Sequence, residues 1–272
     1  MNYKMLVLDI DGTLTTSDKK ISPATLEALL RLQEDGFYVV IASGRPTAGV
    51  LPFARLLRLD DFGNYILTFN GAQIMNMKTN TVLYNKTLPP EVIPALYEEA
   101  ASSRIGLITY EGNGAVAATP INRYIEYAAR INRIPVTQVP DFPSYVTFPV
   151  NKCLMSAEPE MLIPVEERLK KRFQGLLSIC RSEPFFLEIM PQGIDKAASL
   201  QKLLEMLGLT REQIICCGDG FNDISMIEFA GLGVAMGNAQ EIVKKSADFV
   251  TGTNDEDGLV TVIRRFFPLS FR

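Results

Sequence analysis

Residues 3–42 pass from one apolar strand through a capped helix straight into a second apolar strand, an order that leaves few folds open. Tyr3–Ile10 (YKMLVLDI) is continuous, partly β-branched and the length of one buried strand. Ser22-Pro23 then supplies an N-cap and a proline at the first helical position. Leu26, Leu29 and Leu30 make an apolar helical face, and Gly36 stops the helix. Phe37–Ala42 (FYVVIA) follows at once. Strand, helix and strand in this order form a βαβ unit, with parallel strands and a right-handed crossover. The pattern returns later. Tyr65–Phe69 reads as a third strand, and Asp195–Leu207 as a helix stopped by Gly208. A strand at Gln213–Cys217, a helix at Asn222–Phe229 and short strands at Leu232–Met236 and Asp248–Val250 complete the set. The expected fold class is α/β, one doubly wound parallel sheet built from both ends of the chain.

The middle of the chain has a different texture. From about Val82 to Met190 the expected strands are Ile105–Tyr110, Ala115–Ala118, Lys152–Ser156, Leu176–Arg181 and Phe185–Met190. Helices are expected at Pro90–Ser103, Asn122–Ile131 and Pro159–Phe173, with Pro164 near the start of the last. A proline-bearing stretch over 136–149 is expected to wrap the surface. The domain reading is a core made of residues 1–82 and 191–272, with 83–190 inserted as a smaller α/β domain.

Composition narrows the chemistry. The chain has 272 residues and no histidine, which removes histidine triads and His-containing metal sites. Acid–base work therefore falls to carboxylates, Lys, Tyr or Cys. The four cysteines form no CxxC pair and read as reduced core residues, with adjacent Cys216 and Cys217 on opposite faces of a strand. A formal charge of −4 without a basic stripe points to no nucleic-acid and no membrane partner. No apolar run approaches the roughly 20 residues of a membrane span. The opening MNYK carries no signal-peptide pattern, so the expectation is a cytoplasmic protein, monomeric by default.

In open parallel sheets, ligands sit beyond the carboxyl ends of the strands, near the point where strand order reverses. Here those ends read Asp9-Ile10-Asp11-Gly12-Thr13, Ser43-Gly44-Arg45, Asn70-Gly71, Gly218-Asp219-Gly220-Phe221-Asn222-Asp223 and Gly237-Asn238. Each alone reads as a turn. Their joint occurrence at successive strand ends reads as one site. Converging carboxylates repel unless a cation or protons intervene, and oxygen ligands suit Mg²⁺ or Mn²⁺.

DIDGT, ASGR, the lysine of GIDKAASL and GDGFNDISM resemble, in order, the four motifs of the haloacid dehalogenase superfamily of phosphatases. TFNGA, a long α/β insertion, EIMPQGIDK and VAMGNA are similar to its Cof-type sugar-phosphatase branch. The resemblance implies a Rossmann-like core with a large α/β cap at 83–190, and a phosphatase of small phosphorylated metabolites, foremost sugar phosphates. It implies Asp9 as nucleophile and Asp11 as acid and base. Ser43, Lys196, Asn222 and the backbone near Ile10 and Gly44 would hold phosphate. Mg²⁺ would be bound by Asp9, the Asp11 carbonyl and Asp219, with Asp223 in support. Ala197 departs from the glycine that usually follows the lysine in this family.

Other positions stay open. Asn70, with Gly71, is either a turn residue or near the substrate. Arg45 binds substrate or pairs with an acidic neighbour. Glu188 lines the entrance or belongs to a surface ion pair. Glu111–Gly114 is a hairpin turn or a specificity loop. Gly231–Gly237 has GxGxxxG spacing and no Rossmann turn, and Asn254–Gly258 lacks calcium-loop spacing, reading as a solvated turn. A phosphosugar mutase and a non-catalytic phosphometabolite-binding protein are the alternative functions.

Overall fold

The computed structural model describes residues 3–268. The chain divides into two compact units, Met1–Gly44 with Val50–Tyr84 and Asp195–Arg272, and Arg45–Gly49 with Asn85–Ile194. Its strands, in chain order, are β1 (Met5–Leu8), β2 (Tyr38–Ala42), β3 (Tyr65–Thr68), β4 (Gln73–Asn76), β5 (Thr81–Asn85), β6 (Gly106–Glu111), β7 (Gly114–Ala117), β8 (Val136–Gln138), β9 (Cys153–Ser156), β10 (Leu177–Glu183), β11 (Phe186–Pro191), β12 (Ile214–Gly218), β13 (Leu232–Ala235) and β14 (Phe249–Val250).

The first unit holds a sheet of order β14-β13-β12-β1-β2-β3-β4-β5. From β14 to β3 every neighbour pair is parallel, and β4 runs antiparallel to β3. Strand order reverses at β1, which pairs with β2 on one side and β12 on the other. Alternation along the strands feeds two apolar layers. Leu6, Leu8, Val39, Ile41 and Cys217 pack under the helices Pro23–Glu34, Thr47–Leu56 and Gly258–Phe266. Met5, Val7, Val40 and Cys216 pack under Leu200, Leu203 and Leu204 of the helix Lys196–Leu207. Burying each such side chain stabilises the fold by about 1.5–3 kcal/mol, so the register that places Asp9 beyond β1 is firmly held. Ser22 caps the helix Pro23–Glu34 by accepting from the Thr25 amide, as its sequence signature predicts.

The second unit has a six-stranded sheet of order β10-β11-β9-β6-β7-β8, antiparallel except for β7 with β8. The helices Val92–Ser103 and Pro159–Arg172 cover one face, and Arg123–Asn132 packs on the other.

Three expectations need correction here. Cys180 is exposed rather than in the core, because β10 is the outer strand of its sheet. Pro164 lies inside the helix Pro159–Arg172, whose first turn is taken by Pro159. Residues 136–149 do not merely wrap the surface: they form β8 and the short helix Phe142–Tyr145, and Phe142 is fully buried. No described helix is long and apolar enough to cross a membrane.

Candidate active site

β1 and β12 run side by side, and the ladder continues one step past them, with the Asp9 amide donating to the Cys217 carbonyl at 3.1 Å. Asp9 and the turn after Gly218 are thereby set next to each other at the point of strand reversal. Asp195 caps the helix Lys196–Leu207 by accepting from the Ala198 amide at 2.8 Å, which places Lys196 at the helix start. Ala197 lies in that first turn without a left-handed backbone, so the family's glycine has no conformational task here.

Lys196 is wholly buried and stands between two carboxylates. Its Nζ donates to Asp9 Oδ1 at 2.6 Å and to Asp223 Oδ1 at 2.5 Å. Burial works against its charge, but Asp223 and Asp9 outweigh burial and hold its pKa above the ordinary value. The other oxygen of Asp223 accepts from the amides of Asp219 and Gly220, both at 2.9 Å. Asp219 Oδ1 accepts from Thr13 Oγ1 at 2.8 Å, tying the turn after β1 to the turn after β12.

The acids are left short of positive charge. Burial pushes the Asp9 pKa up to about 7, against the pull of Lys196 and with Asp223 adding to the rise. Burial likewise raises Asp219 to about 6, opposed by the Thr13 hydrogen bond. Oxygens of Asp9, Asp219 and Asp223 lie within 4.8 Å of one another. With Asp9 and Asp223 buried and Asp219 half-buried, this oxygen-only, undercompensated group fits a hard cation.

Two glycines hold the geometry. Gly12 has φ +83°, and a Cβ there would stand 2.3 Å from Asp219 Oδ2. A Cβ on Gly218 would meet Asp223 at 2.4 Å.

The phosphate-binding candidates fall into the same unit. Ser43 is buried at the end of β2, and its carbonyl accepts the Asn70 amide at 2.9 Å. Asn70 adopts left-handed φ +55° and accepts from Asn222 Nδ2 at 3.0 Å. Gly44 lies against Asn70, where a Cβ would come within 2.9 Å of Oδ1. Gly71 has φ +94°, and its carbonyl accepts from Ser199 Oγ at 2.6 Å. Ile10 is buried, and its carbonyl accepts from the Thr15 amide at 2.9 Å. Asp11 is partly exposed and paired with Lys19 at 2.9 Å. Its side chain is therefore not part of the buried charge chain.

Arg45 and Glu188 belong to the second unit. Arg45 Nη1 donates to the Ile131 carbonyl at 2.8 Å. Glu188, on β11, is paired at 2.9 Å with Lys152, and both are buried, so this is no surface pair. Glu111–Gly114 forms the turn between β6 and β7.

Three contributors escaped the sequence reading: Thr13, Lys19 and the stretch Asn254–Asp257. Thr13 was within sight, as part of DIDGT. Asn254–Asp257 is a solvated turn, as expected, with Asp255 and Glu256 exposed, and it is also hydrogen-bonded to residues 15–25.

The family model of haloacid dehalogenase-like hydrolases matches residues 6–263. A solved haloacid dehalogenase-like hydrolase from Bacteroides thetaiotaomicron is 50% identical, with a TM-score of 0.95 over 98% of this chain and 100% of that one. The 5-amino-6-(5-phospho-D-ribitylamino)uracil phosphatase of Bacillus subtilis is 33% identical, over 97% of this chain and 98% of its own. The pyridoxal phosphate phosphatase of Escherichia coli is 31% identical over the same shares of both chains.

Proposed function

The chain belongs to the haloacid dehalogenase-like hydrolases, among their Cof-type phosphatases, and from that premise we propose a Mg²⁺-dependent phosphomonoester hydrolase of small metabolites, sugar phosphates foremost. The observation that carries this reading is the buried chain Asp9–Lys196–Asp223 beside Asp219, at the strand reversal and short of positive charge.

In this mechanism a carboxylate oxygen of Asp9 attacks phosphorus. The bond to the leaving oxygen breaks, and that oxygen takes the proton carried by Asp11. The resulting aspartyl-phosphate is then attacked by a water oxygen while the Asp11 carboxylate takes the water's proton. The bond between Asp9 and phosphorus breaks, releasing phosphate. Lys196, Ser43, Asn222 and the amides near Ile10 and Gly44 hold the phosphoryl oxygens. Asp9, the Asp11 carbonyl and Asp219 would hold Mg²⁺, which when bound supplies positive charge against the phosphoryl group. Asp223 already engages both oxygens with Lys196 and two amides, so its part is to hold them in place.

Residues 83–190 are assigned the choice of leaving group; Arg45 and Glu188 are the candidate substrate residues of the second unit, and Asn70 and Gly71 those of the first. The two named relatives act on phosphates of small molecules, one of them a ribityl phosphate, which supports this substrate class. The test is a panel of sugar phosphates, vitamin phosphates and nucleotides, scored by phosphate release. We expect a sugar or sugar-alcohol phosphate to rank first, and a nucleotide ranking first would contradict the substrate class.

A further inference from the structure

The segment between the catalytic turn and the first helix is held from the far end of the chain. Asn254 Nδ2 donates to the Thr15 carbonyl at 2.8 Å. Asp255 accepts from the Ser17 amide at 2.8 Å and from Ser17 Oγ at 2.6 Å. Asp257 accepts from the hydroxyls of Ser22 and Thr25. Asn238, just past β13, joins the network: its Nδ2 donates to the Gly12 carbonyl at 2.9 Å, and its Oδ1 accepts the Asn254 amide at 3.0 Å.

Between these anchors the chain folds back on itself. The Thr16 amide donates to the Lys20 carbonyl and the Lys19 amide to the Thr16 carbonyl, each at 2.8 Å. Lys19 takes φ +59° at the tip, and its Nζ donates to Asp11 Oδ1 at 2.9 Å. An exposed lysine–carboxylate pair restrains little when its lysine is free to wander. Here the lysine's backbone is pinned, and both Ser17 bonds hold the Asp255 carboxyl below its usual range.

We propose that Asn254 and Asp255 are positioning residues: through the turn Thr16–Lys20 and Lys19 they hold the Asp11 carboxyl in the orientation from which it serves the leaving oxygen. This rests on Asp11 being the proton donor. A group that must be aimed loses rate when its support loosens.

The test compares kcat/KM for two esters, the best sugar phosphate and p-nitrophenyl phosphate. The alkoxide leaving group needs a proton, and the nitrophenolate does not. For Asp255→Ala we expect about a tenfold fall on the sugar phosphate, carried by kcat, and less than about twofold on the aryl ester. Asp255→Asn, which keeps an oxygen for the Ser17 amide, should restore most of the loss. Ser17→Ala removes the hydroxyl bond from the opposite side and serves if Asp255→Ala fails to fold. Equal losses on both esters, or no loss on the sugar phosphate, would overturn the proposal. A wild-type protein that cleaves neither ester would refute the phosphatase reading and this proposal with it.

Discussion

Asp9 and Asp219 sit close enough to Asp223 that their oxygens fall within 4.8 Å, and Lys196 is the buried cation between Asp9 and Asp223. Burial is the larger cause of the rise of the Asp9 pKa to about 7 and of Asp219 to about 6; Asp223 adds to each, and the single ammonium of Lys196 offsets only part of it. Metal ligands must be deprotonated, so protons and cation compete for the same oxygens. Mg²⁺ affinity should therefore strengthen as pH rises from about 5, and level off above about 8 once both acids are ionised. Calorimetric titration across that range checks this, with proton release greatest at the acid end, near two protons per ion at about pH 5, and vanishing above about pH 8. A pH-independent affinity would contradict the assignment of these ligands. Asp9, Asp219 and Lys196 were legible because each sits in a short local motif at a strand or helix end. Lys19 and Asp255 were not. Asp255 meets Ser17 across 238 residues of sequence, and no local pattern encodes that pairing.

Strand ends and the turns after them set the site's geometry, and two glycines separate backbone from packing. Gly36, following the helix Pro23–Glu34, has φ +85° with nothing within 4 Å of a Cβ, whereas Gly12, at φ +83°, has Asp219 Oδ2 at 2.3 Å. Gly36→Ala should cost about 1 kcal/mol of stability and leave turnover unchanged. Gly12→Ala carries the same backbone cost and also displaces Asp219, so Mg²⁺ affinity and kcat/KM should fall by about tenfold or more. Denaturant melts with paired kinetics check this, and equal activity in the two variants would count against the role of Gly12. Buried core strands were readable because they are continuous apolar runs. β5 was not, since Val82 and Leu83 are exposed and follow no buried pattern. The helix Thr47–Leu56 was masked by its internal Pro52, and Gly258–Phe266 by the acidic loop before it.

At the scale of the whole molecule, the change in texture near Val82 and Met190 reads as an insertion at 83–190, whereas the second compact unit comprises Arg45–Gly49 and Asn85–Ile194. Arg45–Gly49 belongs to the second unit, where Arg45 donates to the Ile131 carbonyl and Ala48 packs against the apolar cluster that includes Ile125, contacts that sequence alone does not reveal. The first unit carries every residue assigned to the chemistry, so the central claim concerns that unit. The most direct measurement is phosphate release from the best substrate by wild type and Asp9→Asn, each with Mg²⁺ and with chelator. Release that requires both Mg²⁺ and Asp9, with the variant down by at least about 10³-fold, is the predicted result. Undiminished release by folded Asp9→Asn, or by wild type in chelator, would contradict it.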